Sequence, residues 1–276
     1  MNLPRLTWGA ATARGGRRDN QDAYLAQAPI FLVADGMGGH REGRRASAQV
    51  VSAFRSLEGR SWLQVEQVRQ AIGTASADLH QLADADQPPG STLAGIALTQ
   101  QEGLPCWLVF NIGDSRVYRL EGERVDQISV DHSRVQALVD AGTLTAEGAK
   151  LDHRRNIVTR ALGAGMAGPP RIDQWLLLVE SGDRLLLCTD GLTGMLTDQL
   201  IAATLVLLPD PQRAAEELVR AAVDAGGRDN VTVVVVDVDN AGPARVVSTA
   251  GLTAHESNDA EATTRPMPRV TSGNPL

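Results

Sequence analysis

Asp35 and Asp190 each close an apolar run and each precede a glycine, in "IFLVADGMGGH" (Ile30 to His40) and "RLLLCTDGLTG" (Arg184 to Gly194). A carboxylate at the C-terminal end of a buried strand emerges on the rim of its sheet. Asp229 instead precedes its apolar run, in "GGRDNVTVVVV", and Asp22 precedes "AYLA" in "RRDNQDAYLA". The start of one antiparallel strand lies beside the end of its neighbour, so all four acids can share one rim. Asp114, in the "NIGDSRVY" turn between two strands, is a candidate fifth.

Crowded carboxylates raise each other's pKa, so four or five of them stay ionised at neutral pH only with cations between them. An oxygen-only donor set, with no His or Cys in these motifs, favours magnesium or manganese over zinc. The glycine after Asp35 leaves its own carbonyl accessible, which makes Gly36 a further candidate ligand. Plainer readings stand beside these. Asp-Gly after an apolar strand is also a hairpin-turn signal. Asp229 suits an Asx turn, Asp114 a turn residue and Arg17 a solvated surface charge. His40, His132 and His153 read as structural or surface residues rather than catalytic ones.

The elements that carry these acids follow from periodicity. A strand is predicted over Leu25 to Ala34, followed by helical patterns in "REGRRASAQVVSAFRSLE" and "SWLQVEQVRQAIGTASADLHQLADAD". In the second, Val65, Val68, Ile72, Ala75, Leu79 and Leu82 recur at alternating steps of three and four, behind Ser61 as N-cap. Strands return at "STLAGIALTQ", "CWLVFNI", "RVYRL", "QWLLLVE" and "RLLLCTD". Short glycine turns such as "EGE" and "SGD" join several of them, which implies antiparallel pairing. A second helical pair follows, "TDQLIAATLVLL" and "DPQRAAEELVRAAVDAGG", the latter with Asp210 as N-cap and Pro211 at its first position. The last strand is "NVTVVVVDVD". This order predicts an α+β fold, a four-layer α-β-β-α sandwich with two central antiparallel sheets flanked by helix pairs.

Two segments stand apart. Asp131 to Gly163, with the basic stretch "HRRNIVTR", reads as a lid or binding loop between strands. From Ala241 to Leu276, 15 of 36 residues are Pro, Gly, Ser or Thr and no periodicity persists, so a disordered tail is expected.

With 276 residues, 43% of them hydrophobic, the chain can bury a substantial core. A net charge of −7 and only 3% aromatic residues argue against a nucleic-acid partner. No eighteen apolar residues run together and no signal-type segment opens the chain, so the expectation is a cytoplasmic protein without a membrane partner. Cys106 and Cys188 lie in apolar runs, where a reduced thiol behaves as a small hydrophobe.

Taken in order, "RRDNQDA", "VADGMGGH", "GSTLAG", "NIGDSRVY", "DHS", "NIVTRALG", "LLLCTDGL" and "RDNVTVVVV" resemble the motifs of the metal-dependent protein serine/threonine phosphatases, the type 2C or PPM family, and most of all its bacterial branch. The resemblance runs from Arg17 to about Val238. It implies that Asp35 bridges two metals, that Asp190 and Asp229 complete one of them, and that the Gly36 carbonyl binds the other. Asp22 and Gln21 would hold metal-bound water, and Asp114 with Asp190 would bind a third, weaker metal. Arg17 would grip the substrate phosphate. The implied cofactors are two tightly held Mn2+ or Mg2+ ions. The implied catalytic domain is 1–240, with a flap at about 131–163.

The implied activity is hydrolysis of phosphoserine and phosphothreonine on proteins by a metal-activated water, in a monomer that opposes a bacterial Ser/Thr kinase. Two positions depart from the family pattern. Gln21 stands where many relatives carry glutamate, which removes a negative charge. Met37 stands where animal members carry a histidine proposed as general acid. The rival expectations are a non-catalytic interaction module, against which the full set of acids argues, and a phosphatase dedicated to one regulatory partner.

Overall fold

The computed structural model describes residues 3–38, 40–82, 88–166 and 171–241, with the backbone alone at residues 40 and 262–264. In chain order the elements are β1 (Arg5–Ala13), β2 (Asp22–Gln27), β3 (Ile30–Met37), α1 (His40–Phe54), α2 (Val65–Gln81), β4 (Gly90–Ser91) and β5 (Leu93–Gln101). There follow β6 (Leu104–Ile112), β7 (Arg116–Glu121), β8 (Arg124–Gln127), α3 (Arg134–Asp140), α4 (Ala146–Leu151), β9 (Leu162–Gly163) and β10 (Ile172–Leu178). The last are β11 (Arg184–Cys188), α5 (Asp190–Thr193), α6 (Asp198–Leu207), α7 (Pro211–Asp224), β12 (Val231–Asn240) and β13 (Ala262–Thr264).

One sheet has the order β1-β12-β11-β7-β8; the other runs β13-β10-β6-β5-β3-β4-β9, with β2 added against β3. All pairings are antiparallel except that of β10 with β13. The sheets face each other through a core that includes Phe31, Val33, Ile96 and Val109 from one and Val117, Leu185, Leu187, Val234 and Val236 from the other. The opposite face of the larger sheet, with Ile30, Leu32 and Ala34, packs on α1 and α2 through Val50, Phe54, Ile72 and Leu79. The outer face of the five-stranded sheet, with Val231, Val233 and Val235, packs on α6 and α7 through Ile201, Leu205, Leu218 and Ala222. Helix, sheet, sheet and helix are therefore the four layers expected. The five consecutive apolar residues of β3 are all fully buried because both faces of that strand are covered.

The structure corrects three local expectations. The predicted strand at Leu25–Ala34 is two strands, β2 and β3, joined through Ala28 and Pro29, because proline has no N–H for a ladder. Ser61 is not the cap of α2: the helix starts at Val65, where Gln67 Oε1 accepts the Gln64 N–H at 2.8 Å. The strand β1, unanticipated from sequence, is built from "RLTWGAATA". Its residues that face α7, Gly9, Ala11 and Ala13, are small because that helix lies across them: a Cβ on Gly9 would stand 2.2 Å from Gln212 Cα. Asp210 does cap α7, accepting the Arg213 N–H at 2.7 Å. Most of the tail expected from Ala241 to Leu276 lies outside the described residues; within it, Ala262–Thr264 runs parallel beside β10. Among the described residues no helix is long and apolar enough to cross a membrane.

Arg184 locks the five-stranded sheet to the end of α6. It is 8% exposed, pairs with Asp237 on β12 (Nε–Oδ1 2.7 Å, Nη2–Oδ2 2.5 Å), and donates to the carbonyls of Leu205, Leu208 and Pro209. One guanidinium thus satisfies carbonyls that a helix C-terminus leaves without partners. Removing it strands both those carbonyls and the Asp237 carboxylate. Arg184→Met is expected to cost about 3 kcal/mol or more in urea unfolding.

Candidate active site

The acids meet where the two sheets come together at one end. Asp22 and Asp35 sit directly opposite each other in the β2–β3 ladder. Asp190 opens α5, separated from β11 by Thr189, and Asp229 is separated from the start of β12 at Val231 by Asn230. Asp114 follows Gly113 in the crossover from β6 to β7, which joins the two sheets. Arg17, Arg18, Asp19, Gln21, Asp35, Gly36, Met37, Asp114, Asn156, Val158, Asp190 and Asp229 line one cleft. Asp22 is turned instead toward two hydroxyls: Thr189 and Thr232 both donate to its Oδ2, at 2.9 and 2.7 Å.

The two Asp-Gly pairs are not hairpin turns. Each glycine is there so that another backbone can approach. A Cβ on Gly36 would stand 1.9 Å from the Gly43 carbonyl oxygen of α1, and one on Gly191 would stand 1.8 Å from that of Asn230. Gly36 therefore seats β3 against α1, and Gly191 seats α5 against the residue next to Asp229.

Polar residues that the sequence reading passed over hold the acids in place. Thr92 grips the Asp35 backbone at both groups: Asp35 N–H donates to Thr92 Oγ1, and Thr92 N–H donates to the Asp35 carbonyl, each at 2.9 Å. The same hydroxyl lies 2.7 Å from Ser115 Oγ, next to Asp114. Asn230 ties down the loop before β2, accepting from the Gln21 N–H (2.8 Å) and donating to the carbonyls of Arg14 (2.8 Å) and Asp19 (2.9 Å). A signal for them existed: each lies inside a motif quoted for its acid, as in "GSTLAG", "GDS", "CTDG" and "RDNVT".

Arg17 and Asp229 meet each other. Arg17 Nε donates to Asp229 Oδ1 at 2.8 Å and Nη2 to Oδ2 at 2.6 Å. The arginine side chain is 59% exposed, so this fork is held weakly and either partner can be exchanged at small cost. Of the histidines, His132 is buried and His153 is exposed, as structural or surface residues are; the side chain of His40 lies outside the described residues.

The electrostatics are those of like charges under cover. Burial above all, then Asp22, Asp190, Asp114 and Asp229 in turn, push the Asp35 carboxyl well above the ordinary carboxylate range. Burial, then Asp190 and Asp131, push Asp114 up to about 7. Burial, then Asp229, push Asp190 up to about 6. Burial pushes Asp22 up to about 7 despite its two threonine donors.

The donor set fits a hard divalent cation. Asp190 Oδ1 is buried and, among the described residues, has no hydrogen-bond partner, while its neighbours are oxygens that also need positive charge. Among the described residues no three acid, thiol or imidazole side chains are closed into a finished cage. Asp229 faces Arg17 and Asp22 faces its threonines, so both carboxylates are engaged elsewhere in this structure.

The comparisons with known proteins give the family. The family pattern described as Protein phosphatase 2C matches residues 9–221, and the chain belongs to that family. Over 239 residues it is 36% identical to the serine/threonine protein phosphatase PstP of Mycobacterium tuberculosis, covering 84% of this chain but 45% of the relative. It is 33% identical to the protein phosphatase PhpP of Streptococcus pneumoniae, covering 82% of this chain and 94% of the relative. The solved catalytic domain of PstP in complex with two manganese ions superposes with a TM-score of 0.73 at 33% identity, over 85% of this chain and 99% of that one.

The raised carboxyl pKa values carry a sign. A carboxyl whose folded pKa lies above its unfolded value, near 3.8 for Asp, binds more protons folded than unfolded, so stability falls as pH rises from there through about 7. In chelator, the melting temperature is expected to drop by about 5 °C or more between pH 5 and pH 8. Saturating manganese should flatten that slope; scanning fluorimetry across the pH range measures both.

Proposed function

We propose that this chain hydrolyses phosphoserine and phosphothreonine on proteins without a covalent enzyme intermediate. The observation that carries this reading is the set of Asp35, Asp114 and Asp190, half-buried to buried in one cleft and with one Asp190 oxygen that has no hydrogen-bond partner among the described residues, beside the arginine fork that lines the same cleft. Asp35, Asp190, Asp229 and the Gly36 carbonyl would hold two Mn2+ or Mg2+ ions, with Asp22 and Gln21 orienting water around them and Asp114 contributing with Asp190 to a weaker third site. Such ions lower the pKa of water toward neutrality and offset the negative charge of a phosphoryl group.

Arg17 supplies the substrate's anchor. Its planar fork, which Asp229 occupies in the fold, matches two phosphate oxygens equally well, and metal binding by Asp229 frees it for that use. Thr189 and Thr232 keep Asp22 aimed and oppose the rise that burial imposes on its carboxyl, and Thr92 holds Asp35 and the Asp114 turn in one frame. Met37 has no proton to give a leaving oxygen.

In this reading 1–240 is the catalytic domain, 131–163 is a flap whose Asn156 and Val158 line the cleft, and 241–276 is a tail outside it. The partners are phosphorylated proteins and a cognate bacterial Ser/Thr kinase. The place is the cytoplasm, and the state a monomer.

A phosphothreonine-peptide assay with and without manganese tests the proposal. Asp35→Asn and Asp190→Asn are each expected to lose more than tenfold in manganese-dependent turnover, about 1.4 kcal/mol of barrier or more, while remaining folded. A folded variant of either residue that kept most of its turnover would remove that residue from the metal centre. Arg17→Ala should raise KM for the phosphopeptide more than it lowers kcat, as expected for a group that binds substrate and transition state alike.

A further inference from the structure

His132 belongs to none of the roles above, yet it touches both parts of the molecule that meet at the cleft. Its ring is 7% exposed. On one side it holds both polar groups of Gly113: Gly113 N–H donates to its Nδ1 at 2.9 Å, and its own N–H donates to the Gly113 carbonyl at 2.8 Å. Gly113 has φ of 110°, and a Cβ there would stand 2.7 Å from Thr92 Cβ, so the turn has no room to relax. Asp114 is the next residue.

On its other side His132 holds the returning limb of the 131–163 segment. Its carbonyl accepts the Thr159 N–H at 2.8 Å, and Ser133 bridges to Val158. Nε2 lies 3.2 Å from Asp173 Oδ2 on β10 and 2.8 Å from Arg160 Nη1, which itself donates to Asp173 Oδ1 at 2.7 Å. A peptide N–H can only donate, so the Nδ1 facing Gly113 carries no proton. The single proton of the neutral ring is on Nε2, where Asp173 accepts it. Burial pushes the Asp173 carboxyl up, but the hydrogen bonds from His132 and Arg160 outweigh it and hold that carboxyl at about 2, so the acceptor is ionised.

We propose that His132 is a positioning residue that couples the returning limb of this segment to the Gly113–Asp114 turn, so that the limb's place beside the cleft and the aim of Asp114 are set together. One imidazole suits this task because its two nitrogens are rigidly opposed: a displacement of Asp173, which Arg160 also holds, on one side rotates the acceptor offered to Gly113 on the other. The consequence for metal binding rests on the reading of Asp114 as a ligand; the coupling rests on the hydrogen bonds alone.

Amide hydrogen exchange on the full chain, in chelator, tests the coupling without reference to activity. Two positions and their combination are needed. His132→Asn keeps an acceptor near the place of Nδ1 and loses the Nε2 contacts; Asp173→Asn cuts the far side while leaving the ring. Asp173→Asn is expected to speed exchange in peptides covering 113–115 and 157–160 by about threefold or more when His132 is present, and to change 113–115 no further in the His132→Asn background.

An equal effect of Asp173→Asn on 113–115 with either residue at 132 would overturn the proposal, and so would no effect at all. His132→Gln, which keeps a donor near Nε2 and withdraws the acceptor from Gly113, provides the complementary arm. It should loosen 113–115 while 157–160 stays protected, and uniform loosening of every strand would reduce His132 to general stability and sink the idea. Calorimetric manganese titration of the same variants separates the two readings. Exchange coupling present with the weakest manganese site unaltered would remove Asp114 from the ligand set and leave the coupling standing.

Discussion

Mutual repulsion among buried carboxylates is the constraint on which the rest of this structure depends. Five acids converge at one end of the sandwich, and four of them are held above the ordinary carboxylate range by burial and by one another. The fold does not relieve this by surrounding them with donors. It gives Asp22 two hydroxyls and Asp229 one guanidinium, secures Asp35 through its backbone, and leaves an Asp190 oxygen bare. Fixing main chains while withholding side-chain partners is what a protein does when the missing charge is to come from outside.

Rigidity at the site comes from close approach of backbones rather than from large side chains. Gly36 against Gly43 and Gly191 against Asn230 bring four main-chain segments to contact distances that no other residue permits. Behind them the alternation of β3 and β12, one face to the opposite sheet and one to helices, fixes the register of the strands that carry Asp35 and follow Asp229. A slip of one residue in either strand would turn its buried set to the wrong layer and carry the acid away from the others.

What was legible in the sequence is what two-sided burial writes there. The continuous apolar runs of β3, β11 and β12, ending or beginning on acids, indicated both the sheets and their shared rim. The strand β1 was not legible, because small residues facing α7 at Gly9, Ala11 and Ala13 dilute the β-branched and aromatic signal of Thr7, Trp8 and Thr12. The start of α2 was misplaced, since serine's preference for helix caps is only local, whereas Gln67 reaches back to the Gln64 amide in the folded chain. The supporting roles of Thr92, Thr189, Thr232 and Asn230 need the third dimension: the motifs mark these residues, but each bridges segments between 20 and more than 200 residues apart, and the motif does not name the partner.

That the two sheets each contribute part of the acid set has a consequence for how the chain folds. Asp22 and Asp35 belong to the larger sheet, Asp190 and Asp229 to the smaller, and Asp114 to the connection between them. While the chain assembles, the acids of one sheet travel apart from those of the other and pay no penalty for them. Asp22 and Asp35 repel each other as soon as β2 pairs with β3, but the repulsion between the two sheets' acids is met only when the sheets dock face to face, a step made of contacts remote in sequence and therefore slow to form. A divalent cation, finding its ligands assembled only then, would act late, as a latch on the docked state rather than as a nucleus for it.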